Sequence, residues 1–100
     1  MVERIPEEVL EAARLRFKRR LASMLLRALA EAGISTQETE DRIGMRRGGF
    51  MAYVNRLAQG KERGLDAMVD IAFACGFEIS VEAQPLRTAL SQPNDEGEGK

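Results

Sequence analysis

Along the first third of the chain, apolar side chains return at intervals of three and four: Leu10, Ala13, Phe17, Leu21, Met24, Leu25, Ala28 and Leu29. That period lines them along one side of an α-helix. Pro6 suits the first helical position, where no backbone N–H is required, and Glu7 and Glu8 suit the first turn. Nothing interrupts the pattern before Gly33, which can close a helix as a left-handed cap. A continuous helix of that extent would be about 40 Å long. Either its first half leaves the core to meet a partner, or a break near Lys18, Arg19 and Arg20 divides it.

Two shorter helices are predicted next, over residues 36–43 and 46–58. Ser35 can cap the first, and Glu38 stands three residues on, the spacing of a capping box. Ile43, Gly44 and Met45 form the turn, where glycine can take the left-handed backbone that stops a helix abruptly. Phe50, Val54 and Leu57 stripe one face of the second helix and, with Ile43, belong to the core. Residues 59–64 read as a polar loop bounded by glycines, and Leu65, Met68, Val69 and Ala72 stripe a last helix ended by Gly76.

The period then changes. Residues 77–83 alternate apolar and polar side chains, as a strand with one buried face does, until Pro85 stops it. A lone strand cannot satisfy its own backbone. Pairing with the same strand of a second copy about a two-fold axis solves this, with Phe77, Ile79 and Val81 at the dimer interface and the stagger centred on Ser80. Residues 91–100, rich in Pro, Asn, Gly and acids, are expected to be disordered. The organisation is thus an N-terminal helical extension over 1–20, a helical domain over 21–76, a dimerisation strand over 77–85 and a flexible tail over 86–100.

Two short helices, a glycine turn and an arginine pair at the mouth of the second describe a helix-turn-helix, which sets a helix end into the DNA major groove. The run Asp41-Arg42-Ile43-Gly44-Met45, followed by Gly49, Ala52 and Asn55, resembles the lambda-repressor-like group of helix-turn-helix proteins. That group includes phage Cro and repressor proteins and many plasmid and antitoxin regulators. The likeness extends from Leu26 to Gly76, about half the chain. It implies an all-α, lambda-repressor-like bundle of four to five helices, to which this chain adds one C-terminal β-strand that pairs between subunits. Family members usually place Leu-Ala where Thr39-Glu40 stands here, a departure that should weaken the core contact. The segment from Leu57 to Gly64 is also longer than the usual link, which leaves the length of the recognition helix open.

By this resemblance Arg47, Gly48 and Met51 occupy base-contacting positions near the helix mouth, and Arg47 can fork onto a guanine edge. Arg46 does the same or holds a phosphate. Thr36 takes a polar contact position at the start of the first motif helix, with Gln37 beside it, and Asn55 matches a phosphate contact. Arg42 and Lys61 are phosphate candidates by charge and location. Gly48 and Gly49 each cost a helix about 1 kcal/mol, which close approach of the backbone to DNA would compensate. The alternative is a late helix start at Phe50.

A net charge of −1 is at first sight wrong for a nucleic-acid binder, but its distribution is uneven. Arg14, Arg16, Lys18, Arg19, Arg20 and Arg27 form one basic block; Arg42, Arg46, Arg47, Arg56, Lys61 and Arg63 form a second. A local basic face can attract phosphates while the total stays near zero, although the first block also suits a plain solvated helix face. With no histidine, the commonest general base and metal ligand is missing, and the acid clusters suit first helical turns. An enzyme is not expected, nor a metal or other cofactor. The single cysteine, Cys75, lies in an apolar helical stretch and reads as a core residue of a reducing compartment. No apolar run reaches a membrane span's length and no signal peptide is recognisable, so a cytoplasmic protein is expected.

The expected function is a sequence-specific transcriptional regulator, a repressor, binding a palindromic site in double-stranded DNA as a homodimer. One variant is the antitoxin of a toxin–antitoxin pair, with a toxin protein as second partner. The alternative is a helix-turn-helix-derived protein-interaction module that no longer binds DNA.

Overall fold

The computed structural model describes residues 2–86, and the expectation of a disordered tail over 91–100 lies outside them. Four helices follow one another: α1 (Glu7–Ala32), α2 (Thr36–Ile43), α3 (Gly49–Ala58) and α4 (Asp66–Ala74). The class is all-α, and among the described residues there is no strand.

Helix α1 is unbroken, which resolves the choice between one helix and two. Its burial is divided instead. Every residue from Glu7 to Arg14 is exposed, and only from Leu21 onward do Leu21, Ala22, Leu25 and Ala28 enter the core. Leu10, Ala13 and Phe17, placed with that stripe by their spacing, face solvent because no other helix among the described residues covers them.

The core is the wedge where α3 and α4 meet the second half of α1. Leu25, Phe50, Leu57 and Ile71 are fully enclosed, with Tyr53, Val54, Met68 and Ala72 around them, while Ile43 packs on the rim. Cys75 is buried and free. Burying side chains of this size contributes about 1.5–3 kcal/mol each, so the α1–α3–α4 wedge sets the positions of everything else.

The helix ends follow their sequence signals closely. Ser35 Oγ accepts the Glu38 N–H at 3.0 Å. The return half of the capping box is not made, because the Glu38 carboxylate turns to Arg42 at 2.6 Å. Gly44 takes φ 70° at the end of α2, and the Met45 N–H closes the turn on the Glu40 carbonyl at 2.9 Å. The end of α3 and the turn after it attract two cations of the basic block: Arg19 Nε donates to Ala58 O and Lys18 Nζ to Gly60 O, both at 3.3 Å.

Three placements differ from expectation. α3 begins at Gly49, not Arg46, because Gly48 adopts φ 84°, a conformation outside any right-handed helix. Leu65, just before α4, and Val69 on it are exposed, and Ile71 takes the central core position instead. Residues 77–86 have irregular backbone: Phe77 N–H bonds back to Ala72 O at 2.9 Å, Ile79 folds down onto the chain's own core, and Val81 is exposed. A strand needs a neighbour to share its hydrogen bonds, and the described residues offer none there.

Candidate nucleic-acid interface

The two helices that carry the predicted motif are joined by residues 44–48 and locked by a buried polar pair. Thr39 and Glu40 are almost wholly enclosed. The Thr39 hydroxyl donates to the Ser35 carbonyl at 3.0 Å, so it brings no unsatisfied group into the interior. Glu40 reaches across the turn: Oε2 accepts the Phe50 N–H at 3.1 Å, and Oε1 accepts Arg47 at 3.1 Å. Its carboxylate therefore sits at the N-terminal end of α3, where free amides favour an anion. The Phe50 amide, with Arg47 behind it, holds the Glu40 carboxyl below its ordinary range against the opposing effect of burial. The Thr39-Glu40 pair does not weaken the contact between the helices, as the departure from Leu-Ala suggested. Both side chains are buried with their hydrogen bonds made.

Arg47 is the second half of this lock. One guanidinium nitrogen serves both Glu40 and the Gln37 carbonyl (3.2 Å), and the other donates to Asp41 at 3.2 Å. Its side chain thus bridges the turn to the first residues of α2. The fork expected to read a guanine is occupied. Arg42 is also engaged: it donates to the Ala74 carbonyl at 2.7 Å and to Glu38, tying α2 to the end of α4.

The two glycines before α3 have separate structural causes. Gly48 is exposed, and its left-handed backbone suits glycine. Gly49 is buried, and a Cβ there would stand 2.6 Å from Met45 Cγ. Contact with the Met45 side chain of the turn thus favours glycine at 49 independently of any approach to DNA.

Of the sequence-predicted contact residues, the lock brings together Thr36 and Gln37 at the start of α2 with Arg46, Arg47 and Gly48 before α3. Met51 and Asn55 continue along the solvent side of α3. Arg46 makes only a long contact to the Arg47 carbonyl, at 3.5 Å. Each acid of α2 is answered within this unit: Glu38 by Arg42, and Glu40 and Asp41 by Arg47. The edge left to solvent holds Arg46 without a salt-bridge partner among the described residues.

Lys61 lies at the far end of α3 in a well-fastened loop. The Tyr53 hydroxyl donates to Gly64 O at 2.9 Å, and Arg56 pairs with Glu62 at 2.7 Å. Arg56, helped by the Gly64 N–H that Glu62 also accepts, holds the Glu62 carboxyl below the usual range. The Tyr53 phenol is pushed above its ordinary range by burial, helped by Glu62 nearby. Tyr53 and Glu62 were not singled out by sequence reasoning. A tyrosine at helical spacing from Phe50 and Leu57 was the available signal for Tyr53.

Among the described residues, no three His, Cys, Asp or Glu side chains gather into a metal-binding group, and no helix is long and apolar enough to cross a membrane. Comparison with family models, with curated proteins and with solved structures found no match.

Proposed function

We propose that the chain is a sequence-specific DNA-binding transcriptional regulator, a repressor, that reads a palindromic site as a homodimer. The observation that carries this reading is the pairing of every acid on α2. Glu38 is paired with Arg42, and Glu40 and Asp41 share Arg47, so the adjoining starts of α2 and α3 present polar groups and Arg46, whose charge offsets the third carboxylate, to an approaching phosphate backbone. A rigid join between two short helices is what a major-groove reader needs, since base edges are discriminated by donor and acceptor position.

The placement of each side chain refines its proposed role. Arg46, Gln37 and Met51 are the base-reading candidates, while Thr36, Asn55 and Lys61 are the phosphate candidates. Arg47 positions the unit, because swinging it out would strip Glu40 of its cation. Arg42 is a strap between helices. Two-fold symmetry would set the half-sites about 34 Å apart. Pairing of residues 77–83 between subunits is one route to the dimer, but Ile79 is already engaged with its own core.

The test is selection of bound duplexes from a randomised pool at moderate salt, where nonspecific attraction is screened. An enriched palindrome is expected. No enrichment from folded protein would move the reading to a protein-interaction module, which the exposed apolar side chains Val69 and Phe73 on α4 favour.

A further inference from the structure

Helix α4 is apolar on two sides. Met68, Ile71 and Ala72 face the core, while Leu65, Val69 and Phe73 recur every four residues on the solvent side, with Phe73 78% exposed. Aligned exposed apolar side chains on a helix already buried along its other side mark an interaction surface. Asp66 and Asp70 border this stripe, and neither has a salt-bridge partner among the described residues.

The first half of α1 presents the complementary surface. Leu10, Ala13 and Phe17 form an exposed stripe of similar length, about 10 Å against about 12 Å. Arg16 and Arg20 border it, also without salt-bridge partners among the described residues. This arm cannot fold onto the outer face of its own α4. It is one unbroken helix, already anchored on the inner side through Leu21 and Leu25.

We propose that the α1 arm of one copy packs on the outer face of α4 of a second copy, apolar stripe to apolar stripe, with Arg16 and Arg20 beside Asp66 and Asp70. The exchange is reciprocal, so a two-fold axis closes it as a dimer and leaves neither surface open. It supplies the dimer invoked in the proposed function and rests on that reading only for its use, since it is measured without DNA: a dimer that selects no duplex and a chain that does not dimerise are distinct results.

The experiment is sedimentation velocity on the full chain with two charge-reversed variants, Arg16→Glu/Arg20→Glu and Asp66→Lys/Asp70→Lys. The natural chain should sediment as a dimer. Each variant alone sets like charges face to face and should dissociate, with a dimer constant weakened roughly 100-fold. An equimolar mixture of the two restores both opposite-charge contacts and should recover the dimer. A monomeric natural chain, a variant that stays dimeric alone, or a mixture of folded variants that stays monomeric would each overturn the proposal. Should the lysine variant lose its helical circular dichroism, Phe73→Glu decides the matter: a monomer is expected, and a dimer overturns the interface.

Discussion

The carboxylate of Glu40 accepts the backbone N–H of Phe50 at 3.1 Å, from one helix to the opening of the next. Ten residues apart in the chain, the two are joined where α3 has no amide partner of its own. Glutamine at 40 keeps the shape and can still accept that hydrogen bond, but it loses the charge that answers Arg47 and the helix end. Glu40→Gln should therefore lower Tm by roughly 4–8 °C, and Glu40→Ala by more, since alanine leaves the Phe50 amide unpaired in the interior. Thermal denaturation followed by circular dichroism checks both.

The same carboxylate makes stability depend on acid. Glu40 and Glu62 are both held below their ordinary value of 4.5, the first chiefly by the Phe50 amide and the second chiefly by Arg56. A depressed folded pKa means that the unfolded chain binds the proton more readily, so their contribution is present above about pH 4.5 and is lost as pH falls through the folded values. The chain has no histidine to titrate between pH 5 and 8. The urea midpoint should be nearly flat from pH 8 to 5 and fall below about pH 4.5, and Glu40→Gln should soften that fall. An equally steep acid limb in the variant would assign the loss to other carboxylates.

Arg46 and Arg47 are neighbours with separate fates. Arg47→Ala removes three hydrogen bonds within the unit and should lower stability, reducing affinity for all duplexes together. Arg46→Ala removes a side chain with no firm partner. It should leave Tm unchanged and cost about 1–3 kcal/mol at one base pair per half-site. Binding profiles on singly substituted operators separate the two, and relaxed preference from Arg47→Ala at unchanged Tm would reverse these assignments.

Signals that act within a few residues were legible in the sequence. Ser35 capping α2, Gly44 ending it and the Phe50, Val54 and Leu57 stripe all stand where spacing placed them. What escaped depends on contacts between elements. Thr39-Glu40 looked like a defect because its partners, Ser35 O and the Phe50 amide, become apparent only once the turn is folded. Arg47 looked free because charge alone does not show that Gln37, Glu40 and Asp41 converge on it. Alternation over 77–83 signals a strand only where a neighbour exists, and Ile79 satisfies its apolar side chain on the core without one. The apolar face of α1 was legible as a face, but Leu10, Ala13 and Phe17 have no cover among the described residues.

Arg42 distinguishes a strap from a phosphate contact. Its guanidinium donates to Ala74 O at 2.7 Å, at the C-terminal end of α4 where carbonyls are unpaired, and to Glu38 at 2.6 Å on its own helix. The side chain is half-exposed, so solvent screens the ion pair, and the net loss in Arg42→Ala should be modest, about 1 kcal/mol. A DNA phosphate contact would instead appear in the salt dependence of binding, with the slope of log affinity against log salt falling by about 1. The strap predicts a lower Tm with that slope unchanged. A reduced slope at unchanged Tm would return Arg42 to the DNA surface, and with it the C-terminal end of α2.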